Sequence, residues 1–269
     1  RFHLRNLRDF GASQICIMSS LTNHEDIFLY SQKNSIPICL HSASSINGLL
    51  GQNTNIPKSP LQDINFFDSR FPVINLMKWI LIIEALTHSF YDLVIFSDMD
   101  VYWNMSTRES FESEFYHLNQ RLRVQKDGVQ FCTGIMIWSK TEANEELLKL
   151  ILSTHKESFS KVPLMDQEVF NQIIISDLSH NFVDGLPEDK FVIGREINQR
   201  LTFSTSSREI VAVHANYIVG QKAKLRLLKL VVKHFERNFW SNRIRMLLLV
   251  TWEQSIRLPY FVLRKRLSR

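Results

Sequence analysis

Two aspartates one residue apart, Asp98 and Asp100, close the stretch Leu93-Val-Ile-Phe-Ser-Asp-Met-Asp100, and Val101-Tyr-Trp103 follows at once. Leu93 to Phe96 read as a buried strand, because Val and Ile suit a strand covered on both faces. Two carboxylates at the end of such a strand repel each other and resist desolvation unless a cation or protein donors offset them. At the carboxyl end of a strand in an open α/β sheet, that cation is expected to be a divalent metal bridging to a phosphorylated ligand. An arbitrary Asp-x-Asp is equally a solvated turn; the apolar flanks on both sides argue against that here.

Three further pieces carry chemistry of the same kind. Val211-Ala-Val213 reads as a strand leading into His214, in His214-Ala-Asn-Tyr-Ile-Val-Gly220-Gln-Lys-Ala-Lys224. A neutral imidazole and a carboxylate can share a divalent ion, with diphosphate oxygens and water completing the shell. Gly220 lets backbone approach a phosphate, and a lysine just beyond it, Lys224 before Lys222, gives a point charge for a departing diphosphate. Gly134 opens the strand-like Gly134-Ile-Met-Ile-Trp138, and Asp166, as N-cap, opens a helix-like run with Gln167. Taken singly, each has a structural reading: a histidine after an apolar strand, a lysine in a basic segment.

The elements that must hold these residues are legible in order. Residues 1–10 read as a helix stopped by Gly11, Gln14–Met18 as a strand, Thr22 or Asn23 as the cap of a helix to about Gln32, and Ile36–Leu40 as a second strand. This order predicts a parallel sheet with right-handed crossovers. From His41 to about Arg70, Ser, Asn, Gly, Gln and Pro predominate, as in a loop or lid. Ser69-Arg-Phe-Pro72 then starts a long helix to about His88 that carries Lys78, with Pro72 in its first turn and Ile74, Met77, Ile80, Leu81 and Ala85 as its buried stripe. Residues 104–125 read as loop and helix, Val129–Phe131 as a strand, and Glu142–His155 as an amphipathic helix.

Of 269 residues, 45% are hydrophobic and 22% charged, which describes a globular protein with a sizeable core. No apolar run reaches the roughly 18 residues of a membrane span. The chain starts at Arg1 inside a helix-like run, so a preceding segment is expected. The net charge of +5 is unevenly placed: residues 221–269 hold 13 Lys+Arg against 2 Asp+Glu, while residues 1–220 hold 19 against 25. The basic balance therefore describes a C-terminal extension, not the ligand of a main domain at 1–220. Leu225, Leu228, Val232 and Phe235 predict one packed helical face there. The later run with Trp240, Trp252, Tyr260 and Phe261 is suited to an anionic membrane surface. No nucleic-acid-binding module accompanies the charge. Cys16, Cys39 and Cys132 form neither a zinc spacing nor a disulfide framework and read as buried thiols. Asn104-Met-Ser106 matches a glycosylation sequon by chance, since a glycan there would obstruct the Asp-x-Asp loop.

Phe96-Ser-Asp-Met-Asp-Val-Tyr-Trp103, Asp166-Gln-Glu-Val-Phe-Asn171 and His214-Ala-Asn-Tyr-Ile-Val-Gly220 together resemble the nucleotide-diphospho-sugar transferases. These are GT-A-fold glycosyltransferases similar to the plant xylosyl- and arabinosyltransferases of glycosyltransferase family 77. The resemblance runs from about Arg1 to Leu228. It implies an α/β, GT-A-like (Rossmann-like) mixed sheet flanked by helices, with the family's first strand preceding this chain. It implies a retaining hexosyl- or pentosyltransferase that uses Mn2+ or Mg2+, a nucleotide-sugar donor such as a UDP-sugar, and a glycan or glycoprotein acceptor. A Golgi-lumenal type II membrane protein is the location it implies. Carried over residue by residue, it makes Asp98, Asp100 and His214 the metal ligands, with Asp98 also near the ribose. Lys78, Gly134, Gly220 and Lys224 contact the nucleotide sugar, and Asp166 with Gln167 face the transferred sugar and acceptor. The chain departs from the family where Cys132-Thr-Gly134 replaces the usual Asn-Thr/Ser-Gly.

Two other readings stay open on sequence alone. A haloacid-dehalogenase-type phosphatase also places Asp-x-Asp after an apolar strand, although usually near the chain start and followed by Gly or Thr. A binding or scaffold protein with a degenerate GT-A fold would keep the site without turnover.

Overall fold

A computed structural model describes residues 2–12, 15–19, 24–36, 38–42, 71–88, 93–115, 121–158, 164–176, 183–203, 209–218, 220–237, 240–252 and 255. The chain divides into two compact units, one of residues 1–96 and 118–185, the other of residues 97–117 and 186–269. The loop expected from residue 41 onward falls, from residue 43 to 70, outside the described residues.

The first unit begins with α1 (Phe2–Phe10), β1 (Ile15–Ser19), α2 (His24–Lys33) and β2 (Ile38–Ser42). The two strands are parallel, as the alternation of helix and strand requires. Next come α3 (Phe71–His88) and β3 (Leu93–Ser97), then β5 (Leu122–Asp127), β6 (Gln130–Ser139), α5 (Glu142–Ser158), α6 (Asp166–Ser176) and β7 (Val183–Gly185). Among the described residues, strands β3-β6-β5-β7 form one sheet, with β5 antiparallel to β6 and parallel to β7. The sheet is therefore mixed, as expected, while the parallel pairing expected of the first four elements holds for β1 and β2.

Its core is built from α3, α5 and α6 against this sheet. Leu76, Trp79, Ile82 and Leu86 meet Val124, Met136, Trp138, Ile151 and Phe170, all essentially solvent-free. Trp79 stacks on Phe170 at 6.1 Å, and Phe131 meets Phe170 edge-on at 6.0 Å. The buried face of α3 is wider than the predicted stripe: Leu76, Trp79, Ile82 and Leu86 join Met77 and Ile80, while Leu81 and Ala85 are only partly covered. A helix apolar on nearly every side gives periodicity no single face to select.

Three expectations fail locally, each for a physical reason. β3 is a strand but not a buried one, since Ile95 is 38% exposed; β3 ends the described sheet order, with β6 on one side. The segment expected as loop and helix up to Gln125 also contains β5, and the strands expected at 129–131 and 134–138 are one strand, β6. Between β5 and β6 lies a two-residue turn, Gly128-Val129, with Gly128 at φ 67°, the conformation a tight hairpin demands of its first central residue. Gly134 is consequently buried in mid-strand rather than at a strand start.

The second unit contains β4 (Val101–Trp103), α4 (Arg108–Phe115), β8 (Phe191–Ile193), β9 (Ala212–His214), α7 (Gln221–Arg237) and α8 (Trp240–Trp252). Strands β4-β9-β8 form its sheet, with β9 antiparallel to β4 and parallel to β8. Trp103 anchors the unit through edge-on contacts with Phe111 and Phe191 at 5.7 and 6.2 Å. Asn104 is buried, donates through Nδ2 to Ile210 O at 2.9 Å, and accepts from Ser106, so the sequon is structural.

α7 buries Ala223, Leu227, Leu228, Val231 and His234, while Leu225 is exposed beside Lys222, Arg226 and Lys229. The packed face is thus rotated from the predicted one, with Phe235 stacking on Tyr102 at 5.8 Å. Burial pushes the His234 imidazole down to about 4, helped by the charge of Arg243, so His234 packs as a neutral ring. α8 exposes Ile244, Leu248 and Trp252. No helix among the described residues is long and apolar enough to cross a membrane.

Gly194, just after β8, donates its N–H to Asn216 Oδ1 at 2.5 Å, and a Cβ there would lie 1.6 Å from the Asn216 carbonyl oxygen. Gly194→Ala is expected to destabilise the protein by about 3 kcal/mol, the upper range for overpacking against backbone. Thermal unfolding should show this as a fall of roughly 6–12 °C. A midpoint equal to wild type would contradict the contact.

Candidate functional site

Asp98 and Asp100 come together through a turn. β3 ends at Ser97, the Asp98 carbonyl accepts from Val101 N–H at 3.3 Å, and β4 starts immediately. The exposed Met99 forms the tip of this turn, which places the two acids on either side of it. Trp103 Nε1 donates back to Ser97 Oγ at 3.1 Å and ties β4 to the strand end.

β9 delivers the histidine. In the antiparallel β4–β9 register Val101 faces His214, and Ala215 N–H donates to the Asp100 carbonyl at 2.9 Å. His214 Nε2 then lies 3.3 Å from Asp100 Oδ1 and 3.7 Å from Asp98 Oδ2. The ligand atoms of Asp98, Asp100 and His214 all lie within 4.8 Å of one another. Two carboxylates and an imidazole form an O/N donor set suited to Mn2+ or Mg2+, and no thiolate is present to favour a softer ion.

Lys224 completes the group. Gly220, at φ 89°, precedes α7, and its carbonyl accepts the helical bond from Lys224 N–H at 3.1 Å. One turn into the helix, Lys224 Nζ donates to Asp100 Oδ2 at 2.5 Å. Lys222 is exposed, so of the two lysines Lys224 is the one that reaches the carboxylates. Burial alone would raise the Asp100 carboxyl; His214 and then Lys224, by charge and hydrogen bond, overcome it and hold the carboxyl well below its usual range. Asp100 is therefore ionised throughout the neutral range.

A second constellation lies in the first unit. Lys78, on α3, donates to the Thr133 carbonyl at 3.1 Å, to Thr133 Oγ1 at 3.2 Å and to Asp166 Oδ2; the Thr133 hydroxyl donates to the same Asp166 oxygen. Lys78 and Asp166 form an ion pair with side chains 9% and 11% exposed. Burial would raise the Asp166 carboxyl, but Lys78 foremost, then the Thr133 hydroxyl and the Gln167 N–H, hold it below its ordinary value.

Asp166 is not the cap of α6, contrary to expectation. Val169 N–H donates to the Met165 carbonyl at 3.0 Å and Met165 N–H to Glu168 Oε2 at 2.8 Å, so Met165 is the cap, with Glu168 reaching back. The Asp166 carboxylate is turned to Lys78 and Thr133 instead. Gln167 is half-buried beside it, and Gly134 follows Thr133 in β6. Thr133 is the residue that sequence reasoning does not single out; its signal was its place between Cys132 and Gly134, where the family usually has Thr or Ser. Cys132 is buried and forms no disulfide among the described residues.

Removing Lys78 would leave a buried carboxylate without its cation. Lys78→Met is expected to cost about 3–5 kcal/mol at pH 7, and Lys78→Met with Asp166→Asn to recover much of it. Because the folded Asp166 is depressed, the stability it contributes is present above the ordinary carboxyl range and is lost as pH falls through its folded value. In Lys78→Met, burial raises Asp166 instead, so the gap to wild type should narrow as pH falls from 7 towards 4. Chemical denaturation across that range checks this, and a gap independent of pH would contradict it.

Three solved structures are similar to this chain at low identity. Mouse xyloside xylosyltransferase 1 is 11% identical over 76% of this chain and 84% of its own, with a TM-score of 0.45. A glycosyltransferase involved in the glycosylation of the major capsid of PBCV-1 is 12% identical over 80% of this chain and 98% of its own, also at 0.45. The glycosyltransferase GlyE of Streptococcus pneumoniae TIGR4 is 11% identical over 90% and 59%, at 0.44. No curated protein sequence matches the chain. The model of the nucleotide-diphospho-sugar transferase family matches residues 77–228, a span that takes in Lys78, both aspartates, Asp166, His214 and Lys224. The chain belongs to the nucleotide-diphospho-sugar transferases, a family of glycosyltransferases, and not to the dehalogenase-type phosphatases.

Proposed function

We propose that this chain transfers a sugar from a nucleotide-diphosphate donor, a UDP-sugar, to a hydroxyl of a glycan or glycoprotein with retention of anomeric configuration. The convergence of Asp98, Asp100 and His214 beside Lys224, in a chain of this family, carries the reading. When the bond between the anomeric carbon and the phosphate oxygen breaks, its electrons stay with the diphosphate and positive charge develops on the sugar ring. Asp98, Asp100 and His214 would hold a divalent ion, Mn2+ or Mg2+, which would supply Lewis acidity towards this leaving group.

The chain's own residues do the rest. Lys224 presents its ammonium to the diphosphate, and Gly220 opens the N-terminus of α7, whose free N–H groups favour an anion. Asp98 takes the ribose side, Lys78 the nucleotide sugar and Gly134 the sugar pocket, as the resemblance assigns them. Asp166 and Gln167 face the transferred sugar and the acceptor. We assign Asp166 an orienting role, because its carboxylate is already held by Lys78 and Thr133. The acceptor hydroxyl forms the new bond to the anomeric carbon and passes its proton to the departing diphosphate, which leaves with the electrons of the broken bond.

Calorimetry of UDP with and without Mn2+, on wild type and Asp100→Ala, tests the reading. Metal-dependent binding in wild type and its loss in the variant are expected, with transfer reduced by at least roughly a hundredfold, the scale for one preorganised electrostatic contact. UDP binding that is indifferent to both Mn2+ and Asp100→Ala would sink the proposal. Metal-dependent binding without transfer from any UDP-sugar would favour a scaffold.

A further inference from the structure

Both oxygens of the Asp100 carboxylate are engaged. Oδ1 faces His214 Nε2 at 3.3 Å, and Oδ2 holds Lys224 Nζ at 2.5 Å. The lysine therefore sits on the carboxylate that a divalent ion would need, and its charge repels an ion there even if the ion takes Oδ1 alone. Asp98 is the less enclosed acid, with a side chain 35% exposed against 17% for Asp100, so it is the weaker anchor for an ion. Lys224 is itself 33% exposed and stands on the first turn of α7, on a long flexible stem that can leave Asp100 without moving the helix.

We propose that Lys224 and the divalent ion compete for Asp100, and that the diphosphate of the donor resolves the competition by drawing Lys224 to itself. This inference rests on the metal-dependent transferase reading above and adds a binding order to it. The ion alone must displace an ammonium from its partner and binds weakly. A diphosphate gives that ammonium a new anionic partner, which frees Asp100 for the ion. Metal and nucleotide thereby strengthen each other through one side chain, and by linkage each raises the affinity of the other by the same factor. A metal ion then settles at the site chiefly with a nucleotide diphosphate present.

Mn2+ binding to the full chain is measured by calorimetry with and without saturating UDP, in wild type, Lys224→Met, Lys224→Arg and Lys222→Met. In wild type UDP is expected to raise Mn2+ affinity by at least about tenfold, within the usual range of coupling between sites. Lys224→Met should bind Mn2+ alone at least about threefold more tightly than wild type, and its UDP enhancement should shrink by a similar or larger factor. Lys224→Arg should keep the wild-type pattern. Lys222→Met removes an equal charge two residues away and should change neither quantity by as much.

An unchanged or weakened Mn2+ affinity in folded Lys224→Met, or the same gain in Lys222→Met, would overturn the competition. If Asp100→Ala still abolished Mn2+-dependent UDP binding in that case, the transferase reading would stand and only the binding order would fall. If wild type bound no Mn2+ in either condition, both would fall.

Discussion

Asp100 carries a charge into a place where water is largely excluded, and the second unit is arranged to make that tolerable. The carboxyl group is offset from two sides, by His214 on one oxygen and Lys224 on the other. Each arrives on a different element. His214 is fixed by the antiparallel register of β4 and β9, with Ala215 N–H locking the Asp100 backbone; Lys224 is fixed by the start of α7 behind Gly220. A one-residue slip in the β4–β9 register would turn His214 to the opposite face of the strand and leave the carboxylates unmatched. The aromatic cluster of Trp103, Phe111 and Phe191 is thus more than filling, because it holds the strand on which that register depends.

The first unit solves a similar problem in a smaller space. Asp166 lies at the start of α6, where the helix dipole favours a negative charge, and Lys78 and Thr133 satisfy one of its oxygens. Three elements meet there: α3, β6 and α6. The Trp79–Phe170 stack and the edge-on Phe131 hold the same three elements one layer below, so the polar group stands on a rigid apolar base.

Much of this was legible in the sequence, for reasons that can be named. Asp-x-Asp after an apolar run is costly enough to stand out, and the short strand before His214 and the long helix carrying Lys78 have plain boundaries. The α/β class followed from the alternation of elements, and the mixed sheet from the family resemblance. The hairpin did not emerge, although Asp127-Gly128 is a turn signal, because β5 carries charged residues on its open face and reads as irregular. Gly134 reads as a strand start for the same reason. Propensity favours Asp166 as the cap of α6, whereas here the carboxylate serves a tertiary ion pair and Glu168 caps Met165. Thr133 and Gly194 show the limit of reading along a chain: their importance lies in contacts 33 and 22 residues away.

The central claim is that Asp98, Asp100 and His214 hold one divalent ion beside a nucleotide diphosphate. Crystals grown with UDP and Mn2+, recorded at the manganese absorption edge, address it directly. One anomalous peak is expected, enclosed by these three side chains and touching the diphosphate, with Lys224 turned from Asp100 to a phosphate oxygen. A UDP molecule bound with no anomalous peak at those residues, or a peak elsewhere, would contradict it.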